Sequence, residues 1–153
     1  MTGGKLAAAL LLAAALLLAT AMIGAVITFM DQIETPDPDM VLPIFGAAFV
    51  GLYAGWTQLG RNLGGEFIQT GIFGVGAGAV AVVMFAFLYG LRSAYLTHVG
   101  VQFPTAIDAV THLLDAGLNV VISAVLSTPT LISLLIGSFV AGMLAEFFNR
   151  IWR

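Results

Sequence analysis

Charged residues fall into a few short clusters along this chain and leave four long uncharged stretches: Leu6 to Met30, Met40 to Gly60, Phe67 to Leu91 and Ala116 to Ala145. A helix that crosses a bilayer needs about 20 apolar residues at about 1.5 Å of rise each. All four stretches meet that length. The first three predict membrane spans over about residues 6–30, 40–60 and 67–91. The fourth divides in two. From Pro104 to Ser127, Ile107, Val110, Leu114, Leu118, Val121 and Val125 recur at three- and four-residue spacing. Asp108, His112, Asp115 and Asn119 form the opposite stripe, the pattern of an amphipathic helix. Two aspartates make its start too polar for an ordinary span. We expect an interfacial helix over about 104–127, with re-entry at its end as the open alternative. Ser127-Thr128-Pro129 then supplies an N-cap and a proline at the first helical position, so the last span is expected over about 129–148.

The connections support this division. Asp31 to Asp39 holds four carboxylates and two prolines, and Pro36 and Pro38 bias their preceding residues towards extended backbone. Gly60 to Glu66 is a short glycine-rich turn of the kind that joins antiparallel helices. At the N-terminus, Lys5, Leu6 to Leu18 and Ala19-Thr20-Ala21 resemble a secretory signal with its cleavage site. The apolar run continues through Met22, Ile23, Val26, Ile27 and Phe29, too long for a signal core, so an uncleaved anchor is expected.

Charge placement orients the spans. With four of them and the N-terminus inside, Lys5, Arg61, Arg150 and Arg153 are cytoplasmic and Arg92 lies outside. If residues 104–127 also crossed, the C-terminal arginines would move outside and the bias would vanish. The expected fold is therefore an all-α integral membrane protein, one domain over 1–153. It has four transmembrane helices, both ends inside, and an amphipathic interfacial helix before the last span. Trp56 and Trp152 near the inner ends fit an aromatic belt.

Composition narrows the functions. The chain is 60% hydrophobic and 8% charged, against about 25% charged in a soluble domain. Net charge is −3 and the basic residues are scattered, so nucleic-acid binding has no electrostatic footprint. With no cysteine there is no disulfide, thiolate nucleophile or thiol redox chemistry.

Each span offers a row of small residues. Ala9, Ala13, Thr20, Gly24 and Thr28 mark the first, and Ala47, Gly51 and Gly55 the second. Gly71, Gly74 and Gly78 mark the third, and Ser133, Gly137 and Ala141 the fourth. Such rows let helix backbones approach closely, which drives association where lipid offers no hydrophobic contrast. They pack the chain's own bundle or, together with Phe73, Phe85 and Phe87, face another membrane protein.

Candidate chemistry is sparse. No charge lies deep in a span, where ion pathways and proton relays place one, and Thr20, Tyr53, Ser133 and Ser138 bring hydroxyls inside. Asp108, His112 and Asp115, with His98 and the acidic first connection, all fall on the outer side. Asp108 and His112 at i,i+4 could share a metal ion, but neither spacing nor count reaches a recognised metal motif. Glu146 and Arg150 are also i,i+4, in the favourable order for a helical ion pair. Arg61 and Glu66 could pair across their short turn. With Arg153 these are expected to be membrane-boundary charges. No catalytic set, phosphate loop or cofactor box is found, so no cofactor and no enzymatic activity is expected.

Two segments carry a family likeness. One is Gly55-Trp56, Gly60-Arg61 and Gly64, with Gly71 and Gly74. The other is Pro104, Pro129, Gly137 and the tail Gly142-Met-Leu144-Ala-Glu146-Phe-Phe-Asn-Arg150-Ile-Trp152-Arg153. Over about residues 45–153 the chain resembles the TrgA family of small alphaproteobacterial inner-membrane proteins associated with tellurite resistance. The resemblance implies a multi-pass protein of the bacterial inner membrane. Direct handling of the oxyanion fits poorly. Asp31, Glu34, Asp37, Asp39, Asp108 and Asp115 on the expected outer surface face one arginine and would repel an anion. We therefore expect an accessory or assembly subunit that contacts the lipid bilayer and packs its helices on other integral membrane proteins, including electron-transfer components, or on itself. The alternative is a small transporter or ion-handling protein for tellurite or a related oxyanion.

Overall fold

The computed structural model describes residues 3–30, 41–100 and 105–151, with side chains described at 15–28, 42–96 and 105–151. The acidic connection, the side chain of His98, and Trp152 and Arg153 lie outside the described residues. Every regular element among those described is helical. α1 spans Gly3–Met30, α2 Val41–Ala54, α3 Phe67–Gly100, α4 Ala106–Leu126 and α5 Thr128–Ile151. Among the described residues, Leu42–Asn62, Phe67–Leu96, Ala106–Leu126 and Thr128–Ile151 are long and apolar enough to cross a membrane, and Ala15–Thr28 adds a shorter apolar helix.

Two boundaries differ from the sequence reading. α3 does not stop at Leu91 but continues to Gly100, because Arg92 to Gly100 holds no proline and its few polar side chains do not break a helix. At 34 residues α3 is about 50 Å long, well beyond the hydrocarbon thickness. α2 ends early as an α-helix. It widens into a π turn at Gly55–Leu59, where the Gly60 N–H donates to the Gly55 carbonyl, and then tightens into a 3₁₀ turn at Gly60–Asn62. Side chains serve carbonyls freed by these changes of pitch. The Thr57 hydroxyl donates to the Tyr53 carbonyl (2.8 Å), and the Asn62 amide donates to the Gln58 carbonyl (2.6 Å).

α1, α2, α3 and α5 close a ring in which α1 touches α2 and α5, and α3 touches α2 and α5. Neighbours run antiparallel. Gly24 lies by Ser133 and Gly137 by Ala21 between α1 and α5, while Gly74 and Gly78 meet Ser138 and Gly71 meets Gly142 between α3 and α5. Both ends of the ring's chain path therefore lie at the end that carries the 60–66 turn. The core is built mainly from small and branched side chains, among them Leu18, Val50, Ala77, Ala81 and Ala141, with Met22 beside them.

α4 sits outside this ring. It packs antiparallel on the second half of α3, with Gly90 against the Leu113 carbonyl and Gly117 against Ala86. α5 packs in the same sense on the first half. A single residue, Ser127, joins α4 to α5, and its extended backbone (ψ 101°) ends one helix and starts the next. Two helices that follow one another in one direction cannot both cross the same bilayer in full. α5 belongs to the ring and α4 is appended to it, although each is long and apolar enough to cross a membrane. α4 has a cap of its own: the Thr105 hydroxyl oxygen accepts from the Asp108 N–H (3.2 Å) and donates to the Asp108 carboxylate (2.6 Å).

Candidate functional site

Two places concentrate the residues singled out by the sequence: the faces where small residues meet, and the end of the ring where charges gather. The small-residue rows of α2 and α3 are consumed inside the molecule. A Cβ on Gly51 would come within 2.5 Å of the Ala19 Cα. One on Gly74 would strike the Ser138 carbonyl oxygen, and one on Gly71 would lie 2.6 Å from the Phe139 ring. On Gly78 it would reach the Ser138 Cβ at 2.9 Å. Gly55 is buried at the head of the π turn that packs on α1. Three further contact glycines lie outside the predicted rows. Gly142 meets the Thr70 carbonyl, and Gly90 and Gly117 bring α3 and α4 together. None of the three was counted in the four-residue small rows that the sequence reading used to mark contacts.

The row of α5 behaves differently. Ser133, Gly137 and Ala141 meet Thr20, Ala21 and Gly24 of α1 along a groove of about 390 Å³ that stays open to the outside of the ring. Leu17, Ile136, Val140 and Leu144 form its rim. Ala141 is buried, Gly24, Ser133 and Gly137 are half-buried, and Thr20 is exposed. The Thr20 hydroxyl donates to the Leu17 carbonyl of its own helix (2.7 Å). The floor is thus smooth and small-sided, with a backbone-bonded hydroxyl at its edge. Of the phenylalanines expected to face a partner, Phe73 and Phe87 are exposed on the ring's outer surface, while Phe85 is buried in the core.

The charged end holds a tight cluster. Glu146 of α5 is buried, its side chain 2% exposed. Its carboxylate accepts from the Gly64 N–H (2.7 Å), the Asn149 amide (3.2 Å) and the Arg150 Nε (3.1 Å). Arg150 also donates to the Gly65 carbonyl (2.9 Å), and its guanidinium lies 4.1 Å from the Phe67 ring centroid. Three charge-assisted hydrogen bonds offset the cost of burying the carboxylate, and the arginine keeps 49% of its side chain in contact with its surroundings. The predicted i,i+4 pair is present, and α5 uses it to hold the turn that precedes α3. The second predicted pair is not made. Arg61 and Glu66 are both exposed and share no ion pair, because the 3₁₀ turn and the left-handed Gly64 (φ 105°) intervene between them. Gly64 and Phe67 act through Glu146 and Arg150, about 80 positions away, which no local pattern marks, while Asn149 joins from the next turn of α5 by donating to Glu146.

The weak metal candidates are not gathered. Among the described residues, no three of His, Cys, Asp or Glu converge as a metal site would require. Asp108 is engaged as the α4 cap, Asp115 is exposed and His112 is half-buried on the same helix. At the opposite end of the ring from the Glu146 cluster, Arg92 and Tyr89 line a pocket of about 130 Å³ between α2 and α3. Comparison with family models, with curated proteins and with solved structures finds no match.

Proposed function

We propose that this multi-pass membrane protein is a non-enzymatic accessory or assembly subunit that receives a helix of another membrane protein in the α1–α5 groove. The open groove supports that reading. Small residues on both walls let a third helix approach closely, and hydroxyls at Thr20 and Ser133 offer hydrogen bonds within a low-dielectric setting. The remaining outer surface of the ring carries bulky side chains such as Phe45, Phe49, Ile72 and Phe87, which suit lipid. The TrgA-like segments extend the proposal to the bacterial inner membrane and to tellurite resistance conferred indirectly, through such partners. A transporter is disfavoured because the buried Glu146 carboxylate is taken up by three donors and the groove opens sideways from the ring.

A photoreactive amino acid at Thr20, compared with one at Ile72, tests this in intact membranes. Thr20 should give a discrete adduct with one membrane protein and Ile72 none. A second adduct-forming chain with Thr20→Trp filling the groove should lose that product when the probe sits at Ile136. Equal labelling from Ile72 and Thr20, or no protein adduct from the groove, would rule the proposal out.

A further inference from the structure

The segment from Gly60 to Gly65 has little of its own to hold it. Arg61 and Asn62 are exposed, Gly64 and Gly65 have no side chains, and Leu63 alone packs against the core. On one side it hangs from the π turn, whose Leu59 is fully buried and fixed. On the other side, α5 grips one peptide group after another: Glu146 accepts the Gly64 N–H and Arg150 donates to the Gly65 carbonyl. Asn149 steadies the carboxylate and Phe67 the guanidinium. The grip is possible because Gly142, one turn earlier on α5, lies directly against the Thr70 and Gly71 backbone and so draws Glu146 down to the turn. Half of the grip is reachable from outside, since Arg150 is 49% exposed while Glu146 is not.

We infer that residues 60–65 form a strap across the charged end of the bundle, hinged at the π and 3₁₀ turns and latched by Glu146 and Arg150 of α5. The latch closes on backbone atoms, so its strength is independent of side chains in the strap. Release of Arg150 frees the Gly65 end first and leaves α5 in place through its glycine contacts. A 3₁₀ stretch within a helical run often marks a hinge, and single π turns are frequent at functional sites.

The absence of native cysteine allows a direct test. Leu63→Cys is introduced into the full chain in lipid nanodiscs, where both faces meet the reagent, and its maleimide labelling rate is measured. Arg61→Cys serves as the exposed neighbour and Val50→Cys, at a fully buried core position, as a reporter of general unfolding. Leu63→Cys should react slowly when the latch is intact. With Glu146→Ala or Arg150→Lys its rate should rise about tenfold or more, the factor set by losing one charge-assisted hydrogen bond. Val50→Cys should stay unreactive. Glu146→Gln, which keeps an acceptor for Gly64, should fall between. If Glu146→Ala loosens the whole chain, Val50→Cys reports it and the charge-preserving Arg150→Lys decides alone. An unchanged Leu63→Cys rate in Arg150→Lys, or a rise shared by Val50→Cys there, overturns the latch.

Discussion

At the scale of single residues, what matters is whether a glycine touches another backbone. Gly74 and Gly76 lie two positions apart on α3 and would look alike in a sequence. A Cβ on Gly74 runs into the Ser138 carbonyl and lies 3.0 Å from the Gly142 Cα, whereas one on Gly76 meets nothing within 4 Å. Gly74→Ala should therefore lower stability by about 1–3 kcal/mol, the usual cost of overpacking. Gly76→Ala should be neutral or stabilising by up to about 1 kcal/mol, from helix propensity alone. Thermal unfolding of the two variants in the same detergent measures the contrast. The sequence reading placed Gly74 in a small-residue row and left Gly76 and Gly142 out of any row. Spacing by four residues finds a helix face, but which face meets a neighbour depends on the pairing of helices far apart in the chain.

At the scale of elements, helix starts are the most legible features. Ser127 before Pro129 marks the start of α5, and the Ser127 hydroxyl accepts from the Thr130 N–H (3.4 Å). At the head of α4 the Thr105 hydroxyl accepts from the Asp108 N–H, which helical bonding leaves free, and donates to the Asp108 carboxylate. Thr105→Ala should cost about 1 kcal/mol, read as lower melting temperature or earlier proteolysis near residue 105. A Thr105→Ser variant, which retains the hydroxyl, should recover most of it. Helix ends are less legible. α3 runs past the last uncharged residue to Gly100 because helical backbone tolerates polar side chains, so hydropathy marks the apolar part of a helix and not its length. The π turn after α2 left no local mark beyond the glycines at 55 and 60.

At the scale of the whole molecule, α4 and α5 run in one direction and of the two only α5 belongs to the ring. The ring geometry puts the 60–66 turn and the end of α5 together, and from the charge bias of the sequence we expect that end inside the cell. Single cysteines at Arg61 and Tyr95 should therefore report opposite sides. In right-side-out vesicles a membrane-impermeant maleimide should label Tyr95→Cys and spare Arg61→Cys. Labelling of both from one side would mean that α3 does not cross.

Local pattern alone determined that this chain is helical and built of apolar segments long enough to cross a membrane, because length, periodicity, caps and charge are properties of neighbouring residues. It also determined the Glu146–Arg150 pair, which a single helix brings together. Only the tertiary structure decided that the small-residue rows of α2 and α3 close the bundle while that of α5 stays open beside α1. Only it decided that α4 flanks the ring and that Glu146 and Arg150 grip Gly64 and Gly65. Those outcomes depend on which helices pack and in what direction, and residues 80 positions apart meet through that packing without leaving a trace in their local sequence.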